Sequence, residues 1–106
     1  MIGEEKANRI LVANVVLKAN TEVAWTIPKG CVWFTMQCRT GVDVKIGVET
    51  GHVASSEPPY FTMKSGTSWN ESDLGIDVKT GLPIFFAAAS AVVVEIFIGI
   101  HKEEVS

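Results

Sequence analysis

Apolar side chains recur at every second position through most of this 106-residue chain. Val42, Val44, Ile46 and Val48 alternate with Asp43, Lys45, Gly47 and Glu49, the cleanest run. Val23, Trp25 and Ile27 share one face of Thr21 to Ile27, which ends at the turn residues Pro28-Lys29-Gly30. Val32, Phe34, Met36 and Cys38 share one face of Cys31 to Arg39. A period of two is the mark of a strand, because successive side chains point to opposite sides of the backbone. No segment sustains the 3.6-residue period of a helix.

The stretch GLPIFFAAASAVVVEIFIGIH, Gly81 to His101, has the length of a membrane span but not its character. Pro83 lies near its start, and Glu95 lies well inside, where a carboxylate is costly in lipid. Val92, Val94, Ile96, Ile98 and Ile100 repeat in twos, so the stretch reads as two strands joined as a hairpin around Ala89-Ser90. Arg9 to Lys18 reads as a first strand with imperfect alternation. Thr40-Gly41 reads as the turn of a second hairpin, joining the strand from Cys31 to the one from Val42. Gly51 to Pro59 is a loop. Tyr60 to Lys64 is a short strand, Trp69 to Asp73 is polar and irregular, and Leu74, Ile76 and Val78 mark another short strand.

That makes about eight strands, each with one apolar face, and two sheets laid face to face bury those faces together. The expected fold is all-β: a single antiparallel β-sandwich over residues 1–106, jelly-roll-like and oligomeric. An N-terminal arm over 1–8 and a frayed tail over 102–106 flank it. A small closed barrel is the alternative.

Charge and chemistry narrow the function classes. Net charge is −3, with nine scattered Lys and Arg, so no basic face is laid out for nucleic acid. The start, MIGEEKANR, has no apolar core segment, so no signal peptide is expected. Cys31 and Cys38 lie seven apart in one strand and face opposite ways, too far apart for a disulfide. Cys38 is expected in the core and Cys31 at a strand end. His52 and His101 are separated, and a metal site of cupin-like type needs clustered histidines. No serine lies in a GxSxG elbow. Asp43, Glu49, Asp73 and Asp77 read as a solvated face. No catalytic, metal-binding or cofactor-binding residue is expected.

The remaining signal concerns surfaces. Val93 and Phe97 are apolar residues on the second face of the final strand, beside Glu95, and an uncovered apolar face is a liability unless something lies on it. They are the expected contact of a homo-oligomer, with a threefold assembly preferred and the residues up to Lys18 contributing as an arm laid on a neighbour. Trp25 and Phe34 read as core. Trp33 shares a face with Thr35, Gln37 and Arg39, while Tyr60 and Trp69 flank a short strand and a polar loop. Covered by a loop or a subunit, such aromatics are structural. Left open, they stack on sugars or anchor a protein partner.

The order of Pro28-Lys29-Gly30 feeding a long strand, then Gly66-Thr67-Ser68-Trp69, then an apolar pair of strands carrying Val94-Glu95-Ile96, resembles small β-sandwich structural proteins of tailed bacteriophages. The nearest likeness is to capsid decoration, or cement, proteins, and it spans about Ile10 to Ile100. The resemblance implies a non-enzymatic virion protein, assembled in the host cytoplasm, that binds the major capsid protein lattice. Trp33, Tyr60 and Trp69 are then candidates for the lattice-facing surface. A tail or baseplate protein, or a carbohydrate-binding module stacking sugars on those three aromatics, are the alternatives.

Overall fold

Alternation does become strands. The computed structural model describes residues 7–72 and 81–101, and none of these is helical. Eight strands follow in order: β1 (Arg9–Leu17), β2 (Val23–Ile27), β3 (Cys31–Cys38), β4 (Val44–Gly47), β5 (Phe61–Met63), β6 (Ser68–Glu71), β7 (Leu82–Ala88) and β8 (Val92–Ile100). They form two antiparallel sheets of four, ordered β1-β8-β3-β6 and β2-β7-β4-β5.

One core joins the sheets. Val15, Leu17, Phe34, Met36, Val94, Ile96 and Ile98 of the first sheet meet Ile27, Val44, Ile46, Met63, Ile84 and Phe86 of the second. Phe86, Met36, Val44 and Val94 are fully buried, and each contributes about 1.5–3 kcal/mol of transfer free energy. The described buried residues include no polar or charged side chain. Backbone amides are paired within the ladders, so the interior is dry and apolar.

The two expected hairpins do not form. β3 pairs with β6 and β8, and β4 pairs with β5 and β7. Thr40-Gly41 therefore carries the chain from one sheet to the other. Ala89-Ser90 does the same: β7 pairs with β2 and β4, β8 with β1 and β3. Each strand is apolar on the side facing the opposite sheet, and a chain that changes sheet at the turn keeps both faces inside. A flat hairpin of two such strands meets the same pattern, which is why alternation alone cannot separate the two. The pairs that do form are β1 with β8, β2 with β7, β3 with β6 and β4 with β5. The first half of the chain thus runs back along the second.

Several local readings shift. β4 stops at Gly47, and Val48, expected inside, is exposed. Trp69 to Glu71, part of the stretch Trp69 to Asp73 expected to be irregular, belongs to the edge strand β6 on β3. Its polar residues suit an edge, and Thr35 Oγ1 donates to Asn70 Oδ1 across the pair. The strand expected at 74–78 lies outside the described residues. Both cysteines face the core: Cys31, the first residue of β3, is buried, Cys38 is half-buried and packs against the core, and neither is in a disulfide. Cys31 is opposite Ile100 and Trp33 opposite Gly99, so Val32 is an extra residue, a bulge that turns Cys31 inward. Residues 9–17, expected as part of an arm laid on a neighbour, pair along their whole length with β8 of the same chain.

The turn into β3 shows why a glycine stands there. Gly30 has φ of +83°, and a Cβ on it would sit 2.6 Å from the His101 carbonyl oxygen. The His101 amide donates to the Gly30 carbonyl at 2.9 Å, tying the end of β8 to this turn.

Candidate functional site

The outer faces of the two sheets are built differently, and the difference locates the candidate site. On the β2-β7-β4-β5 sheet the chain supplies its own cover. Lys45 and Gly47 point outward from β4, and the loop 48–60 folds back over them. Val53 of that loop is 1% exposed, and its Cγ1 lies 3.1 Å from where a Cβ on Gly47 would be. Glycine at 47 makes room for the plug. Lys45 donates to Ser56 Oγ and stands over the Tyr60 ring, 5.6 Å from its centre. Glu22 receives the Gly51 amide at 2.9 Å and the Thr50 hydroxyl at 2.7 Å. His52 Nδ1 lies 2.9 Å from the Glu57 carbonyl oxygen, and its Nε2 lies 3.2 Å from Glu49.

The outer face of the β1-β8-β3-β6 sheet has no such lid among the described residues. Ile10, Val12, Asn14 and Val16 of β1 lie beside Gly99, Phe97, Glu95 and Val93 of β8. Trp33, Thr35 and Gln37 of β3 flank β8 on its other side. Trp33 covers Gly99 and packs on Phe97, their ring centres 5.5 Å apart and tilted by 46°. A Cβ on Gly99 would come within 2.2 Å of the indole, so this residue exists to seat the tryptophan. Ile10, Val12, Val16 and Phe97 are all exposed.

A polar cluster crosses the middle of this face. Arg39 Nε donates to Glu95 Oε2 at 2.8 Å, Gln37 Nε2 donates to Glu95 Oε1 at 3.2 Å, and Arg39 Nη2 donates to Asn14 Oδ1 at 3.0 Å. The hydrogen bond from Arg39, then that from Gln37, hold the Glu95 carboxyl below its ordinary range against a slight opposing desolvation. Val12, Asn14, Thr35, Gln37, Glu95 and Phe97 outline a shallow depression of about 300 Å³.

The expected surface residues therefore fall in three places. Trp33 and Phe97, assigned from the sequence to different contacts, form one unit. Val93 lies on the same face, half-buried and opposite Val16. Tyr60 belongs to the covered sheet. Trp69 points inward opposite Met36, stacks edge-on against Phe34 at 4.9 Å and touches Phe61 at 5.6 Å, closing the open side between β6 and β5. Its indole donates to Glu71 Oε2 at 2.8 Å. The three aromatics do not share a platform.

Sequence reasoning places the residues up to Lys18 in a contact but does not single out Ile10, Val12 and Val16. Both faces of β1 are apolar, so alternation could not mark one of them as outer.

The described residues hold no group of three His, Cys, Asp or Glu placed to hold a metal ion. Burial pushes the Cys31 thiol up, only partly offset by a backbone hydrogen bond at Trp33, so it is a poor nucleophile. Among the described residues no helix is long and apolar enough to cross a membrane.

No protein-family model matches the chain, and no curated protein matches it closely enough to count as a relative. A solved structure that resembles it is the solution NMR structure of a de novo designed double-stranded beta-helix, at 16% identity. The likeness covers 84% of this chain and 96% of that one, with a TM-score of 0.49.

Proposed function

We propose that this chain is a jelly-roll structural protein that acts by protein contact, and that its partner surface is the outer face of the β1-β8-β3-β6 sheet. The jelly-roll reading is supported by the pairing of first strand with eighth, second with seventh, third with sixth and fourth with fifth. The observation that carries the functional reading is the uncovered face on which Trp33 and Phe97 stack beside a satisfied Arg39–Glu95–Gln37–Asn14 cluster. Buried aromatic anchors surrounded by polar groups are what binding hot spots are made of.

The resemblance to phage decoration proteins supplies the partner: an assembled capsid lattice, bound by a homo-oligomer. A protein that binds the assembled lattice and not its free subunits stabilises it by mass action. Several linked copies engage several lattice sites, so individually weak contacts sum to a tight one. Co-sedimentation with capsid shells encoded in the same genome tests this. The wild-type chain pellets with shells, and Trp33→Ala weakens binding by about 2 kcal/mol or more, roughly thirtyfold. A chain that stays in the supernatant at all concentrations sinks the lattice role.

One observation favours a second reading. Asn14, Thr35, Gln37 and Glu95 line the depression beside Phe97, and hydrogen-bonding groups next to an aromatic ring also suit a sugar. Glycan binding that disappears in Trp33→Ala, without shell binding, selects a carbohydrate-binding module instead.

A further inference from the structure

Among the described residues no strand pairs with the outer edge of β1, a second surface that borders the Trp33–Phe97 face. β1 has nine residues, against five, three and four for the other edge strands β2, β5 and β6. Its register with β8 is continuous from Arg9 to Leu17, without a bulge. From Ile10 to Leu17 it contains no charge, proline or glycine. Sheet edges are ordinarily blunted by such features, because bare amides and carbonyls recruit another strand.

The exposed side chains separate edge pairing from stacking of faces. Four of the eight large hydrophobic residues found exposed among the described residues lie on β1: Ile10, Leu11, Val12 and Val16, at 59%, 45%, 66% and 66%. Ile10, Val12 and Val16 point outward, but Leu11 lies opposite Ile98 and points to the inner side. A partner lying flat on the outer face leaves Leu11 exposed. A strand added alongside β1 covers side chains on both faces. The four leave on the order of 400 Å² of apolar surface, about half of one partner's share in a standard interface, the remainder being the usual polar rim.

We infer that β1 pairs antiparallel with β1 of a second copy of this chain, joining two four-stranded sheets into one of eight strands across a two-fold axis. Centred near Ala13, the pairing sets Ile10 beside Val16 and Leu11 beside Val15 of the second copy. Outer residues meet outer residues, and inner meet inner. Such a contact is self-complementary and builds even-numbered assemblies, in place of the threefold one expected from the sequence. It deepens the structural reading above by naming the contact between copies, and it leaves Trp33 and Phe97 free for the other partner.

Light scattering and amide hydrogen exchange on the full chain test it. In an antiparallel strand alternate amides point away from the existing partner. The expected mass is twice 11.5 kDa, with those outward β1 amides protected. Val12→Asp runs at 11.5 kDa, keeps its melting temperature within a few degrees at matched dilution, and exchanges the same amides at least tenfold faster. Trp33→Ala stays dimeric, because the indole lies two strands from the edge. Dimers lost on Trp33→Ala, a mass three times 11.5 kDa, or outward β1 amides that exchange freely within an assembly overturn the pairing while leaving the structural role. A lone 11.5 kDa particle that still co-sediments with shells also overturns the pairing alone. A lone particle that binds no shell removes both readings.

Discussion

The two outer faces of this sandwich solve the same problem in opposite ways. The β2-β7-β4-β5 sheet hides the β4 side of its outer surface under the loop 48–60, with Val53 seated on Gly47 and Lys45 tied to Ser56 and Tyr60. The β1-β8-β3-β6 sheet leaves Ile10, Val12, Val16 and Phe97 in solvent, around a charged pair already matched within the chain. In so small a domain a long loop is the cheapest lid, and among the described residues only one face receives it. The lesson is that the exposed face is apolar by composition and open by architecture, which is what a surface reserved for a partner needs.

The same substitution placed on each face breaks the comparison most sharply. Val53→Asp puts a carboxylate on an apolar seat under a closed loop, and it costs about 3 kcal/mol or more. Val12→Asp, on the open face, changes the stability of the isolated chain by at most about 1 kcal/mol. Urea titration of both variants at matched dilution measures the gap. Equal losses at the two sites mean that the faces are not different in kind.

Gly99→Ala has an intermediate effect. The new methyl collides with the Trp33 indole, which has to swing off Phe97, at a cost of about 1–3 kcal/mol. A red-shifted tryptophan emission with the melting loss reports the movement. Unchanged emission means that the ring is not held by the glycine.

The smallest effect is electrostatic. Glu95 ionises more readily in the folded chain than in the unfolded one, because Arg39 and Gln37 donate to it. Its contribution is therefore complete above the ordinary carboxylate range and disappears as the pH falls through the lowered folded value. The pair is exposed, so salt weakens it further. Glu95→Gln melts slightly below wild type near neutrality, and the difference closes in acid. A gap that widens in acid contradicts the assignment.

Strands were legible here because burial on one face writes a period of two into the chain. Sheet membership was not. Thr40-Gly41 and Ala89-Ser90 are short and small, as hairpin turns are, yet each spans the sandwich. Nothing local separates those outcomes, since partners such as Arg9 and Ile100 are far apart in sequence. The burial of Cys31 has the same origin: one extra residue at Val32 turns it to the core side that Cys38 also faces, and alternation assumes that there is none. Phe97 and Trp33 could be picked out because each stands among polar neighbours on its own strand. That they touch follows only from the register of β3 on β8.

The folded-ribbon pairing also constrains the order of assembly in time. β8 lies between β1 and β3, so the sheet that carries the open face cannot close until the polypeptide has been made through Ile100. Until then β1 lacks β8, the strand it pairs with, and displays two apolar sides along its nine residues. Non-local pairing of this kind is slow to nucleate. The nascent chain is therefore most prone to aggregate before its eighth strand emerges.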